Sequence, residues 1–200
     1  MSRGGQCAGV RAVRETARAP LVVEVDPARA SVSAVSGLED RFFAAVAARD
    51  LVRPSVRALV VHDGSVLVQR PADSAPGGGY AFIGGEYESG DSFESRLRKE
   101  IEEETTARLV SWRYLFVVEN RFVHAGHRVH ALEHYVLATL DTTDVKSREG
   151  HIVQEWLPLD ALGSADLRPF AVRDVLANGH LEQVRHLVVD GLSETPDIGG

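Results

Sequence analysis

The feature that most constrains the fold is a glycine pair followed by a short amphipathic pattern rich in glutamate. The stretch covers 84–106 and reads GGEYESGDSFESRLRKEIEEETT. Asp91 followed by Glu94 has the spacing of a capping box, which predicts that a helix begins here. Apolar residues then recur at four-residue steps as one buried stripe, namely Phe93, Leu97 and Ile101. The sequence therefore predicts a glycine turn that leads into a helix packed on the core.

Four glutamates lie near the end of this helix, Glu100, Glu102, Glu103 and Glu104. At about 100° per residue, Glu100 and Glu104 project close to the buried stripe, Glu103 lies beside them and Glu102 points away. Half-buried carboxylates repel one another unless a cation lies among them, and hard divalent cations such as Mg²⁺ are their usual partners. A solvated acidic helix face is the alternative, and the helix pattern alone leaves both interpretations open.

With its glycine loop, the stretch resembles the Nudix box, G-x5-E-x7-R-E-U-x-E-E-x-G-U with U aliphatic. This box is the signature of hydrolases that cleave a nucleoside diphosphate linked to another group. On this chain it runs from Gly85 to Ala107. The resemblance implies an α/β fold, a Nudix-type α/β/α sandwich with a mixed β-sheet. It also implies that Glu100, Glu103 and Glu104 are the ligands of Mg²⁺ or Mn²⁺.

Three positions depart from the box: Asp91 replaces its first Glu, Lys99 its Arg and Thr106 its last Gly. Lysine lacks the planar fork that orients two carboxylates at once, so Lys99 predicts loosely held ligands and a slow enzyme. The family's glycine at the helix end often has a positive φ. Thr106 therefore predicts either backbone strain or a helix that ends differently.

The resemblance also suggests which residues carry out the reaction. The candidate catalytic residues are Glu100, Glu103, Lys99 and Glu133. A Nudix subgroup has EN-x-F on one strand, as at 119–122 here, and His-Glu on the next. Ala131 stands where that acid is expected, but Glu133 has the same strand parity. The general base is left open between Glu103 and Glu133.

Four histidines fall within eleven residues, His124, His127, His130 and His134. Strand alternation is expected to place His127 on the opposite face from the other three, which disfavours a zinc site. Surface or substrate-contacting roles are favoured instead.

The chain is expected to consist of an N-terminal extension over 1–54, a Nudix domain over 55–190 and a polar tail over 191–200. The extension is expected to be partly disordered, with a strand near 21–25 and a helix near 38–51. The domain is predicted to contain strands at 57–61, 65–69, 81–83, 108–119, 129–140, 154–158 and 184–189, and a closing helix at 166–177. The glycines of the loop PADSAPGGGY could cradle phosphate, although the loop lacks a P-loop lysine.

Composition limits the classes of binding partner and the cellular compartment that we expect. A net charge of -7 argues against a general nucleic-acid or anionic-membrane surface. No apolar run approaches the roughly 20 residues of a membrane span. A single cysteine, Cys7, excludes an internal disulfide framework and fits a reducing cytoplasm. We therefore expect a cytoplasmic protein that binds a small nucleoside diphosphate derivative, and a homodimer is left open.

Together these features predict a Mg²⁺-dependent hydrolase of the phosphoanhydride bond in a nucleoside diphosphate linked to another group. The alternative is a degenerate Nudix module that binds a nucleotide without hydrolysing it, in a regulatory role. The intact ligand set favours the hydrolase because the ligands carry the metal chemistry. The substitutions at Asp91, Lys99 and Thr106 favour the alternative.

Overall fold

The computed structural model describes residues 21–23, 37–74 and 79–192. The helices are α1 (Gly37–Ala48), α2 (Phe93–Glu104) and α3 (Phe170–Ala177), with a 3-10 helix over Leu159–Ser164. The strands are β1 (Leu21–Val23), β2 (Arg53–Leu59), β3 (Val61–His62), β4 (Ser65–Pro71), β5 (Leu109–His124), β6 (His127–Leu140), β7 (Ile152–Pro158) and β8 (His186–Asp190). The predicted disorder of 1–20 and 24–36, Cys7 and the tail over 193–200 lie outside the described residues.

The strands form two sheets. Five strands pair in the order β1-β8-β5-β6-β2, and three pair in the order β3-β4-β7. In the larger sheet only β5 and β6 run antiparallel to each other, while the other neighbours are parallel. The larger sheet is therefore mixed, as predicted.

Helices cover the two faces of the larger sheet. Strand alternation on β6 sends Val136 toward the α2 residues Leu97 and Ile101, and sends Tyr135 toward the cluster that contains α3. Leu97 and Ile101 are fully buried, which confirms the predicted helix stripe. The predicted α/β fold, an α/β/α sandwich with a mixed sheet, is confirmed.

Two tight hairpins set the strand registers. Asp63 and Gly64, with φ of 43° and 71°, form the predicted two-residue turn between β3 and β4. The turn between β5 and β6 was predicted to be a longer loop over 120–127, and this was wrong. It consists of Ala125 and Gly126 alone, with φ of 47° and 81°, because pairing continues to the ends of both strands and satisfies their backbone groups.

Further element boundaries differ from the predictions. The predicted strand 57–61 is divided between β2, which begins at Arg53, and β3 in the smaller sheet. The closing helix begins at Phe170 rather than at 166, because Pro169 disfavours helical geometry in the residue before it. The segment 81–83 is no regular strand. It is held by single bridges and by a hydrogen bond from Ala58 N to Ile83 O (2.8 Å).

Both ends of α2 also differ from the predictions. Ser92 and Ser95 form the capping box, not Asp91 and Glu94. The Asp91 carboxylate instead accepts a hydrogen bond from Glu88 N (2.9 Å) in the preceding turn. The helix ends on Thr105 in an extended conformation (φ −133°), so the neighbouring Thr106 does not take the left-handed conformation.

Outside the central domain, β1 of the N-terminal extension pairs with β8. The domain boundaries at 54 and 190 remain predictions. Among the described residues, no helix combines the length and the hydropathy that crossing a membrane requires.

Candidate active site

The glycine loop is pressed between β2 and α2. Val56 N donates to Gly85 O (3.0 Å), which ties the loop to the edge of the sheet. A Cβ on Gly84, whose φ is 138°, would lie 2.1 Å from Val56 O. A Cβ on Gly85 would lie 2.1 Å from Glu100 Oε1. Gly84 requires glycine because of its positive φ and the close approach of β2 backbone, whereas a side chain on Gly85 would displace the Glu100 carboxylate.

Behind this loop, α2 places the predicted carboxylates in different environments. Glu100 is buried (6% exposed) and forms an ion pair with Arg96. The Gly84 backbone N–H faces the Glu104 carboxylate, whose buried Oε2 has no hydrogen-bond partner. Glu103 is exposed, as is Glu102. Glu100 and Glu104 lie toward the buried side of the helix, as predicted, whereas Glu103 lies on the solvent side and not beside them.

The buried positions change the proton affinities of two of these groups. Burial, together with the charge of Glu100, raises the pKa of Glu104 from 4.5 to about 8, and Arg57 opposes the rise. Burial also raises the pKa of Glu100, which Arg96 opposes. Both carboxylates therefore lack sufficient positive charge in their surroundings.

These observations bear on whether a metal ion fits. Within the described part of the chain, no three His, Cys, Asp or Glu side chains converge closely enough to hold a metal as they stand. The donor set nevertheless suits a hard cation, since Glu104 Oε2 is buried and unpartnered beside Glu100. We give more weight to the donor chemistry, because carboxylate side chains can rotate while the backbone that carries them is fixed.

Lys99 forms no ion pair with the predicted ligands Glu100, Glu103 and Glu104. Its Nζ lies 2.6 Å from Glu88 Oε2. Arg96 takes the position beside Glu100 and also approaches Glu88 (3.2 Å). The expected contact of Lys99 with the ligands is therefore absent, and the guanidinium of Arg96 provides it instead.

Arg57 is a residue that the sequence analysis missed. Its Nη1 donates to Gly84 O (2.6 Å), and its Nε lies 3.6 Å from Glu133 Oε1. Burial lowers the pKa of Arg57, but the charge of Glu133, with smaller contributions from Glu104 and Glu100, raises it above its ordinary value. The alternation of Arg53, Ser55 and Arg57 along one strand face was the available signal.

Glu133 lies on the predicted face of β6. Ala131, Glu133 and Tyr135 are all buried, which confirms their shared parity. Glu133 Oε2 accepts from Asn120 Nδ2 (3.2 Å), and Oε1 faces Arg57. Glu133 is thus a buried counterion of Arg57.

The four histidines do not form a metal site. His124 and His127 are directly paired across the hairpin and so share a face, which corrects the predicted grouping. His124 Nε2 lies 3.1 Å from Asp40 Oδ1. His130 lies 3.3 Å from Glu119.

Helix α1 reaches the box from the N-terminal side, which the sequence did not reveal. Arg49 makes a two-pronged contact with Glu86 (2.7 and 2.8 Å), and Arg53 Nε donates to the same carboxylate (3.0 Å). Glu86 directly follows Gly85, so α1 is tied to the loop that carries the site.

The second glycine-rich loop is only partly described. Gly79 N donates to Asp166 Oδ2 (3.3 Å), and 75–78 lie outside the described residues. Its phosphate-cradle role remains a prediction.

Comparison with known proteins identifies the class. Residues 51–178 match the family described as NUDIX domain, and the chain therefore belongs to the Nudix family. This membership makes it a Nudix-type phosphoanhydride hydrolase. No curated protein matches the chain.

Several solved structures are similar to the chain, and the first named here shares its fold. A MutT protein from Bacillus halodurans is 19% identical, with 74% of this chain and 94% of that chain covered and a TM-score of 0.53. A MutT NUDIX hydrolase from Burkholderia pseudomallei is 25% identical over 55% of this chain and 85% of that chain, with a TM-score of 0.47. An ADP-ribose pyrophosphatase from Streptococcus suis is 13% identical over 70% of this chain and 100% of that chain, with a TM-score of 0.49.

Proposed function

We propose that this Nudix protein is a Mg²⁺- or Mn²⁺-dependent hydrolase that cleaves the phosphoanhydride bond of a nucleoside diphosphate linked to another group. The buried and unpartnered oxygen of Glu104 beside Glu100 carries the proposal. A buried carboxylate without a partner is costly, and a divalent cation supplies the missing positive charge.

Glu100, Glu103 and Glu104 would hold the metal. When bound, the metal neutralises the diphosphate and lowers the pKa of a coordinated water. Gly85 allows the Glu100 carboxylate to pack directly against the loop backbone, because a Cβ there would lie 2.1 Å from Glu100 Oε1.

The exposed carboxylate of Glu103 is the better placed of the two candidate bases. It borders solvent, from which the attacking water comes. Glu133 is only 6% exposed and faces Arg57 and Asn120. We propose that Glu133 acts through Arg57, and that Lys99 fixes the loop through Glu88.

Metal binding is the first test. Mn²⁺ should bind saturably to the wild-type protein, and a Glu103→Gln, Glu104→Gln double variant should bind at least about tenfold more weakly. Glu102→Gln is the matched control, because Glu102 lies on the same helix and is exposed. Equal Mn²⁺ affinity in the double variant and in the control would refute the ligand assignment.

Substrate class is the second test. The loops outside the box define it, and likenesses at 13% and 19% identity do not identify a substrate. A phosphate-release screen with Mg²⁺ and Mn²⁺ should cover nucleotide sugars, dinucleoside polyphosphates, nucleoside triphosphates and ADP-ribose. We expect one of these nucleoside diphosphate derivatives to be hydrolysed. Nucleotide binding without hydrolysis of any compound would instead favour the degenerate module.

A further inference from the structure

Arg57 lies at the edge of the larger sheet, between β6 and the glycine loop. In the β2–β6 register it stands opposite Tyr135, and Ser55 stands opposite Glu133. Its side chain is only 17% exposed. A guanidinium at this depth is stable only when oppositely charged or carbonyl groups surround it.

The Arg57 guanidinium restrains Gly84, a loop residue whose backbone rotation no side chain restricts. Backbone bonds from Ala58 N to Ile83 O and from Val56 N to Gly85 O fix the loop on either side of Gly84. Gly84 itself has a φ of 138° and no side chain to restrict its rotation. The hydrogen bond from Arg57 Nη1 to Gly84 O (2.6 Å) fixes the peptide that follows it.

Gly84 in turn lies beside a proposed metal ligand, because its backbone N–H faces the Glu104 carboxylate. Gly84 thus links Arg57 on β2 with Glu104 on α2. Lys99 stands at the box arginine position, but its ammonium forms an ion pair with Glu88. The cation that acts on Glu104 through Gly84 therefore comes from β2 and not from position 99.

We propose that Arg57 is a positioning residue: with Glu133 as its anchor, it holds Gly84 in the conformation that orients the Glu104 carboxylate for metal binding. This inference rests on the proposed function, since it concerns Glu104 as a metal ligand. Glu133 restrains Arg57 through Oε1 (3.6 Å from Nε), and Asn120 restrains Glu133 through Oε2 (3.2 Å). Groups that orient metal ligands typically cost about 10 to 100-fold in metal affinity or activity when they are lost.

The test measures Mn²⁺ affinity without substrate, together with the amide NMR signal of Gly84 in the metal-free protein. Arg57→Met should weaken Mn²⁺ binding by about tenfold or more and shift the Gly84 signal. Arg57→Lys should recover part of the affinity, because an ammonium can still donate to one carbonyl. Arg173→Met is the matched control: Arg173 is also buried and donates to a backbone carbonyl, Ala165 O (3.1 Å), but lies on α3. The control should retain the wild-type Mn²⁺ affinity.

The Arg57→Met experiment distinguishes a positioning role from a purely electrostatic effect of the guanidinium. If Arg57 acted only as a nearby positive charge, Arg57→Met would bind Mn²⁺ more tightly, because a repulsion is removed. Unchanged or tighter binding, or an unshifted Gly84 signal, therefore overturns the proposal. Failure of the wild-type protein to bind Mn²⁺ refutes the proposed function instead.

Glu133→Gln tests the anchor and remains informative if Arg57→Met does not fold. By itself it should weaken Mn²⁺ binding and shift the Gly84 signal. Where Arg57→Met folds, the effect of Glu133→Gln should be the smaller one and should add nothing in the double variant, because both residues act along one path. If Glu133→Gln abolishes hydrolysis while Mn²⁺ affinity and the Gly84 signal are unchanged, Glu133 is the general base and its anchoring role is wrong.

Discussion

Replacing Glu104 by Gln should stabilise the metal-free protein increasingly as the pH rises above 4.5, with the full gain above about pH 8. Burial raises the pKa of Glu104 from 4.5 to about 8, so its ionised form is disfavoured in the fold. Gln has the same shape but never ionises. Its side-chain oxygen is an acceptor that can still face the Gly84 N–H.

The sign follows from proton binding in the two states. Below pH 4.5 the Glu104 carboxyl is protonated in both the folded and the unfolded chain, so it has no effect on stability. Between pH 4.5 and about 8 the unfolded chain releases the proton while the folded chain retains it. Folding stability is therefore lost as the pH rises through this window, and the full cost is present above it.

The magnitude follows from the same two values. A tenfold difference in proton affinity is worth about 1.36 kcal/mol. The difference between 4.5 and about 8 corresponds to roughly 5 kcal/mol at the upper limit. Relaxation and water penetration around the charge reduce this cost, so we expect Glu104→Gln to gain at least about 2 kcal/mol at alkaline pH.

The assay is denaturant unfolding in the presence of a chelator, at about pH 5 and about pH 9. Glu104→Gln should match the wild type at the lower pH and exceed it at the higher, whereas the exposed Glu102→Gln should match it at both. Mn²⁺ should then stabilise the wild type in proportion to its affinity but have little effect on Glu104→Gln. A variant that is equally or less stable than the wild type at about pH 9 would refute the account of Glu104 as a buried, uncompensated acid.

Three further variants test the box and its helix. Lys99→Arg should change kcat by less than about twofold, because Lys99 contacts Glu88 and no metal ligand. A large increase of kcat in a steady-state assay would show that lysine at this position limits the rate. Gly84→Ala should reduce the free energy of unfolding by more than about 2 kcal/mol, since its Cβ would lie 2.1 Å from a backbone oxygen of β2, and a neutral result in denaturant unfolding would contradict that geometry. Leu97→Ala should cost about 3 kcal/mol in the same measurement, because Leu97 is fully buried, and a cost below about 1 kcal/mol would place α2 outside the core.

Local patterns predicted much of the fold. The apolar stripe of α2, the Asp63–Gly64 turn and the parity of Glu133 all depend on a few neighbouring residues, and the structure confirms each of them. Where two local signals competed, the sequence did not decide between them. The N-cap of the helix is Ser92 and not Asp91, because the Asp91 carboxylate accepts a hydrogen bond in the preceding turn.

The sequence by itself determined the class of the protein, the helix that carries the carboxylates and the glycines that leave room beside them, because spacing along one segment is enough to specify these features. Only the tertiary structure decided which cations accompany the carboxylates. Arg57 is 47 positions from Glu104 in the numbering, and it reaches the site because β2 pairs with β6 on one side and with the glycine loop on the other. Strand pairing between distant segments sets such contacts, and no periodicity within a single segment records them.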